Sequence, residues 1–379
     1  MRFLQEKLIE KLPPELSGAA ALFCGSEFDR GTLCTEAVAQ LSPVLERLAP
    51  TPAEGWLRAA YAFLTDGLFR DADYTPPEEP TRRAIVLLID ALEALLTAED
   101  APFDPLTDLL AFDQTLPTRL SEEYALFQTA VEQSHFLLTL RISREIMPFD
   151  AASHTIGVRN IAVQTALAAK QAGLPVDVPL VAAAALCHDI GKFACRGSDA
   201  ARVPYLHYYY TWQWLTERSM EGIAHISANH STWDLEFENL SIESLLLIYA
   251  DFRVRGSREG GREVMRIYSL ADSYGIIRSK LSNVTEEKAR RYQLVYCKLR
   301  EFEAFLRSRG VQDDGTLTAP ERRDTALLSQ AESLNALRDL TFDNNIRLMN
   351  AISTDTSFDL LLEQARGEKN THRIRTYLR

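Results

Sequence analysis

Five cysteines in 379 residues, none spaced Cys-x-x-Cys, are too few and too scattered for a disulfide framework or a zinc knuckle. Cys24, Cys34, Cys187, Cys195 and Cys297 therefore fit a reducing cytoplasm, and Cys187, beside Ala185 and Leu186, reads as a small core residue. Basic charge is also short. Against 53 Asp and Glu there are 41 Lys and Arg, a formal charge of −12, which argues against broad binding to nucleic acid or anionic membranes. Apolar runs of membrane-spanning length are missing, and Met1–Leu12 is amphipathic without the apolar centre of a signal peptide. Neither export nor membrane insertion is indicated. Alternation of apolar and polar residues never persists, so strands are scarce.

What remains is helical periodicity over a hydrophobic content of 46%, enough for a sizeable core. Helices are predicted at Thr32–Leu48, Glu54–Phe69 and Thr81–Thr97, with a proline-rich loop at Asp73–Pro80. Ser121, followed by Glu122 and Glu123, opens a long helix that runs to Ile146 and stops before Pro148. Further helices are predicted at Ser153–Ala172, Pro179–His188, Tyr205–Glu217, Met220–Asn229, Ser241–Arg253, Gly261–Leu281 and Thr285–Arg309. Beyond a polar linker at Val311–Pro320, Glu321–Leu340 and Asn344–Ile352 read as a helix pair followed by Phe358–Ala365. The expected fold is all-α, with a helical domain at 1–148, a central domain at 149–310 and a helical segment at 321–379. The outer helices suit packing or a protein partner. Ile374, Tyr377 and Leu378 keep helical spacing up to the last residue, so the chain is expected to be cut from a longer protein, entering a helical repeat.

Five of the seven histidines fall between His154 and His230. At their centre His188-Asp189-Ile190-Gly191, closed by Lys192, follows the apolar run Leu180–Leu186, which would hold a nitrogen and an oxygen ligand rigidly at a helix end. Outward from that doublet lies an ordered set: His154, His188, Asp189, His207, His230 and Asp251. His154 and Asp251 are each embedded in an otherwise apolar helical face. A carboxylate buried bare beneath Leu245–Ala250 would cost several kcal/mol, so Asp251 must be neutralised, paired or metal-bound.

This order resembles the HD-domain superfamily of metal-dependent phosphohydrolases over roughly Asp150 to Arg255: His154 matches the first histidine, His188-Asp189 the doublet and Asp251 the closing aspartate. The intervening His207 and His230 are similar to the two-metal dinucleoside-tetraphosphate hydrolase branch, which implies that Asp189 bridges both ions. Two other branches fit less well. No Glu-Asp pair follows the doublet, as in alarmone hydrolases, and no Gly-Tyr-Pro follows His230, as in cyclic-dinucleotide phosphodiesterases. The resemblance implies an HD-type helical core and hydrolysis of a phosphoester or phosphoanhydride in a nucleotide-like substrate by a metal-activated hydroxide. The resemblance implies two divalent ions, and imidazole with carboxylate suits iron, manganese, zinc or nickel without choosing among them. Asp189 and Lys192 are the expected catalytic residues. Lys192, about one helical turn beyond Asp189, would steady a phosphoryl oxygen, and Arg253, Arg255 and Arg258 are candidate phosphate clamps.

Two other functions stay open: a di-iron oxygenase of the same superfamily, and a module that senses a nucleotide without turning it over. His207 or His230 has substrate contact as its alternative role. His225 is expected to be structural or to support the ligands from behind; His135 and His372 have no expected catalytic part. Tyr205, Tyr208, Tyr209, Tyr210, Trp212 and Trp214 crowd the helix around His207, mostly as core, with one or two able to line a pocket. Arg278, Lys280, Lys288, Arg290, Arg291 and Lys298 read as a solvated face. Their alternative is a basic lip over the metal cleft.

Overall fold

A computed structural model describes residues 33–49, 55–96, 118–147, 151–230, 240–259, 262–280 and 285–311, with the short pieces 342–343 and 346–347. The expected segments at Met1–Leu12, Glu321–Leu340, Phe358–Ala365 and Thr371–Arg379, most of Asn344–Ile352, and His372 lie outside the described residues. The fold is all-α. Among the described residues the α-helices are α1 Leu33–Leu48, α2 Trp56–Leu68, α3 Glu79–Leu96, α4 Ser121–Gln133, α5 Phe136–Ile146, α6 Ala151–Gln171, α7 Val178–Cys187, α8 Val203–Thr216, α9 Glu221–Ala228, α10 Ile242–Arg253, α11 Leu270–Lys280 and α12 Glu286–Ser308. No described helix is long and apolar enough to cross a membrane.

Two departures from the sequence reading stand out. The single helix expected from Ser121 to Ile146 is broken, because His135 adopts a left-handed backbone (φ 52°) between α4 and α5. Its ring holds Glu93 Oε1 at 2.7 Å, and that hydrogen bond raises its pKa. The helix expected at Gly261–Leu281 begins only at Leu270. Before it, β1 Val254–Glu259 and β2 Arg262–Ile267 form an antiparallel hairpin with Val254 opposite Ile267.

The chain divides into two compact units that interleave in sequence. One comprises the described parts of 1–115, 128–153 and 193–202. Its core joins α1, α2, α3 and α5 through Leu41, Leu45, Leu64, Leu88, Leu138 and Ile142. Glu145 of α5 caps α1 within this unit: its carboxylate accepts the Cys34 N–H at 3.0 Å, the Thr35 N–H at 2.7 Å and the Thr35 hydroxyl at 2.6 Å. A carboxylate at a helix N-terminus satisfies orphan donors and opposes the helix dipole. Glu145→Ala should therefore destabilise this unit by about 2–3 kcal/mol, and Glu145→Gln by less, in urea unfolding followed by circular dichroism.

The other unit comprises the described parts of 116–127, 154–192 and 203–379. Here α7 is apolar on every face, and each of its residues is buried. It packs against α9 and α10, and α8 against α9. Of the six residues read as a solvated face, Arg278, Arg290 and Arg291 on α11 and α12 are exposed, Lys288 and Lys298 are half-buried, and the Lys280 side chain lies outside the described residues. Tyr274 of α11 stacks on Tyr296 of α12 with ring centroids 4.6 Å apart.

Candidate metal centre

The helices that carry the doublet and Asp251 are fixed at their opposite ends. Asp177 caps α7 through the Leu180 N–H and also accepts the Thr118 hydroxyl at 3.0 Å and the Arg119 N–H at 2.8 Å. Glu243, fully buried in the first turn of α10, accepts the Asp177 N–H at 3.0 Å and the Arg119 guanidinium at 2.9 Å. Arg119 and Asp177 thus tie the starts of α7 and α10 together, and His188-Asp189 and Asp251 ride at the far ends. On the third side Gly157 lets α6 approach the start of β1: a Cβ there would come within 2.9 Å of Val254. His154 sits one turn earlier on α6.

After Cys187 the chain tightens into a 3-10 turn, Ile190–Ala194. Residues three apart eclipse in that geometry, and the Lys192 ammonium lies 2.5 Å from Asp189 Oδ2. Gly191 meets α8 with no room for a side chain, since an added Cβ would stand 2.0 Å from the His207 carbonyl oxygen. The Thr211 hydroxyl stitches the same junction, donating to the His188 carbonyl at 3.0 Å and accepting the Gly191 N–H at 3.1 Å. Thr211 was missed in the sequence, although its place four residues after His207 puts both on one helical face.

All six predicted ligands converge. Asp189 Oδ2 lies 3.5 Å from His154 Nε2 and 3.4 Å from His188 Nε2; its other oxygen, Oδ1, lies 3.6 Å from His207 Nε2 and 3.9 Å from His230 Nε2. His154 Nε2 also lies 3.1 Å from Asp251 Oδ1. One carboxylate therefore faces two sets of imidazoles with separate oxygens. On the second set Tyr208 packs its ring against His207 and His230, with centroids 3.8 and 4.6 Å away.

The imidazoles are oriented from behind. Nδ1 of His188 meets the Ala185 carbonyl at 2.8 Å, Nδ1 of His207 the Val203 carbonyl at 2.5 Å, and Nδ1 of His230 the Ser227 carbonyl. A carbonyl only accepts, so each Nδ1 carries the proton and, in the neutral ring, Nε2 turns a lone pair inward. Burial pushes His207 down to about 4. Burial, with the neighbouring His188 and His207, takes His230 to about 3, and burial also lowers His154. Burial raises both carboxylates, but it is outweighed. Lys192 and His188 hold Asp189 well below the ordinary range, and His154 and Arg255 lower Asp251. His188 goes the other way: burial lowers it, and the Asp189 charge more than reverses that. Its Nε2 is wholly buried and makes no hydrogen bond.

These residues fit a metal ion. His154, His188 and Asp251 form one group whose ligand atoms lie within 4.8 Å of one another, and His188, Asp189 and His230 form a second. Inward imidazole lone pairs beside ionised carboxylates are the donor set of first-row divalent metals rather than of calcium or magnesium.

The remaining candidates fall outside this group. Arg253 does not fit the role of phosphate clamp: two residues beyond Asp251 it points elsewhere on α10, buried, donating to the Tyr268 carbonyl and the Tyr249 hydroxyl, both at 2.9 Å. Arg255 is close enough to lower Asp251 and lies over the Phe252 ring at 5.7 Å. Arg258 pairs with Glu263 in the hairpin register, and its side chain lies outside the described residues, as does that of Tyr205. His225 is buried beside Asn229, its ring 3.2 Å from the amide; burial lowers it to about 4, and the nearby Arg119 charge adds to that. Trp212 and Trp214 are core, Cys187 is buried with its thiol pushed up to about 12, and Tyr209 is exposed. Comparison with known proteins adds no relative: no family model, curated protein or solved structure matches the chain.

Proposed function

We propose that this chain is a metal-dependent phosphohydrolase of the HD type, acting on a phosphoester or phosphoanhydride of a nucleotide-like substrate. One observation carries the reading: the two oxygens of Asp189 address separate imidazole sets, and an ammonium stands beside one of them. His154, His188 and Asp251 would hold one divalent ion, His207 and His230 a second, and Asp189 would serve both. Bound there, such ions supply Lewis-acid polarisation of a phosphoryl oxygen and lower the pKa of water towards neutrality. The chain's own contribution is positioning and charge. Lys192, only part-buried, can reach a phosphoryl oxygen at the mouth of the cluster, and Arg255 adds positive charge on the Asp251 side. The main-chain carbonyls behind His188, His207 and His230 hold the rings in one tautomer and one direction, so no reorientation is needed as charge develops.

A screen of metal-replete protein for phosphate release from mono-, di- and polyphosphate nucleotides tests this. Release from at least one substrate class, abolished in Asp189→Asn, is the expected result; inertness across the panel contradicts it. The same ligand set suits a di-iron oxygenase, and substrate-dependent oxygen uptake would replace the hydrolase reading with that one. Tight nucleotide binding without turnover would instead make the chain a sensor.

A further inference from the structure

The position of Lys192 carries a consequence for ligand binding. Its ammonium is held by a carboxylate. It lies 2.5 Å from Asp189 Oδ2, the oxygen that also faces His154 Nε2 at 3.5 Å and His188 Nε2 at 3.4 Å. A divalent ion gathered by His154, His188 and Asp251 needs that same neighbourhood. Two cations cannot share one carboxylate oxygen at such range without strong repulsion, because the site is buried and poorly screened. Asp189 is almost wholly buried, whereas the Lys192 side chain is 29% exposed. The lysine is the partner that can leave. Once displaced it carries an uncompensated positive charge at the rim of the cluster, and a tetrahedral oxyanion is the natural acceptor.

We propose that Lys192 is an exchangeable counter-cation: it neutralises Asp189 until metal binds, then transfers to an oxyanion, so that metal and oxyanion each tighten the binding of the other. The inference rests on the reading of the cluster as a metal centre. It differs from the view of Lys192 as a phosphate contact alone, because it assigns the lysine a penalty against metal when no anion is present. Linkage requires the coupling to be reciprocal, and factors of roughly 5 to 150 are usual for such coupling between sites.

The test is calorimetric titration of metal-stripped protein with manganese(II), with and without inorganic sulfate at matched ionic strength, for the native chain, Lys192→Met and Lys192→Gln. Sulfate stands in for the phosphoryl group and is not consumed. In the native chain sulfate should tighten manganese binding about fivefold or more. In both variants manganese should bind about tenfold tighter than in the native chain without sulfate, since the competing charge is gone, and the sulfate effect should vanish. A native chain that binds manganese equally well with and without sulfate overturns the proposal without any variant. So does a folded Lys192→Met that binds manganese no better than the native chain while the native chain does bind it. Failure of every form to bind manganese, cobalt or iron(II) would bring down the metal-centre reading itself, a separate outcome.

Discussion

Gly191→Ala should be the most damaging alanine substitution among the described glycines. The new Cβ would stand 2.0 Å from the His207 carbonyl oxygen and 2.6 Å from the Thr211 nitrogen, both main-chain atoms of α8. Neither can turn aside as a flexible side chain would, so either α8 retreats or the turn after the doublet rotates. Retreat also breaks the Thr211 hydroxyl bridge to His188 and Gly191. Overpacking at about 1–3 kcal/mol or more and two buried hydrogen bonds at about 1 kcal/mol each sum to roughly 3–5 kcal/mol. Urea unfolding should register that loss. Thr211→Val, which removes the bridge and keeps the shape, should lose only about 1–2 kcal/mol. Because His207 rides on α8 and the doublet on the turn, Gly191→Ala should also weaken metal binding where Thr211→Val largely spares it. An alanine variant as stable as the native chain would mean that the junction is looser than these distances imply.

The second large effect is expected from Asp189→Asn. The side chain keeps its shape but loses the charge on which His154, His188, His207 and His230 all converge. Metal affinity should fall roughly a hundredfold or more, since one change weakens both halves of the cluster. A thermal shift reads this cleanly. A ligand at about a thousand times its dissociation constant adds about 4 kcal/mol of apparent stability, and that gain should be present in the native chain and nearly absent in the variant. The metal-free stability carries a separate, pH-dependent component. A carboxylate depressed by folding contributes stability above its unfolded pKa and loses it as pH falls towards the folded value. The native chain should therefore lose part of its advantage over Asp189→Asn below about pH 4.

Much of the cluster was legible because polar residues in apolar surroundings are expensive. His188-Asp189 after Leu180–Leu186, and Asp251 after Leu245–Ala250, call for partners: Asp189 meets Lys192 and Asp251 meets His154, while His188 Nε2 makes no hydrogen bond. Helix positions were legible to within a residue or two: the predicted starts at Pro179 and Ser241 fall beside the side-chain caps Asp177 of α7 and Ser241 of α10, which the structure reveals. The hairpin was not. Val254–Ile267 is rich in Arg and Glu and lacks the β-branched alternation that signals a strand, so its pairing is not written in local preference. The break at His135 was hidden because helical periodicity continues on both sides of one left-handed residue. The direction of Arg253 was equally hidden. Proximity in sequence to Asp251 suggested a shared cavity, whereas on a helix two residues apart point to different sides. The interleaving of the two units has no local signature at all, since residues 128–153 and 193–202 join the first unit through tertiary contacts alone.

The most direct measurement is an anomalous-scattering difference map from crystals grown with manganese, iron or cobalt. Two peaks about 3.5–4 Å apart on either side of Asp189, one beside His154, His188 and Asp251 and the other beside His207 and His230, are the expected result. A map with no peak within ligand distance of Asp189, from crystals in which metal is bound elsewhere on the surface, would contradict the metal centre outright.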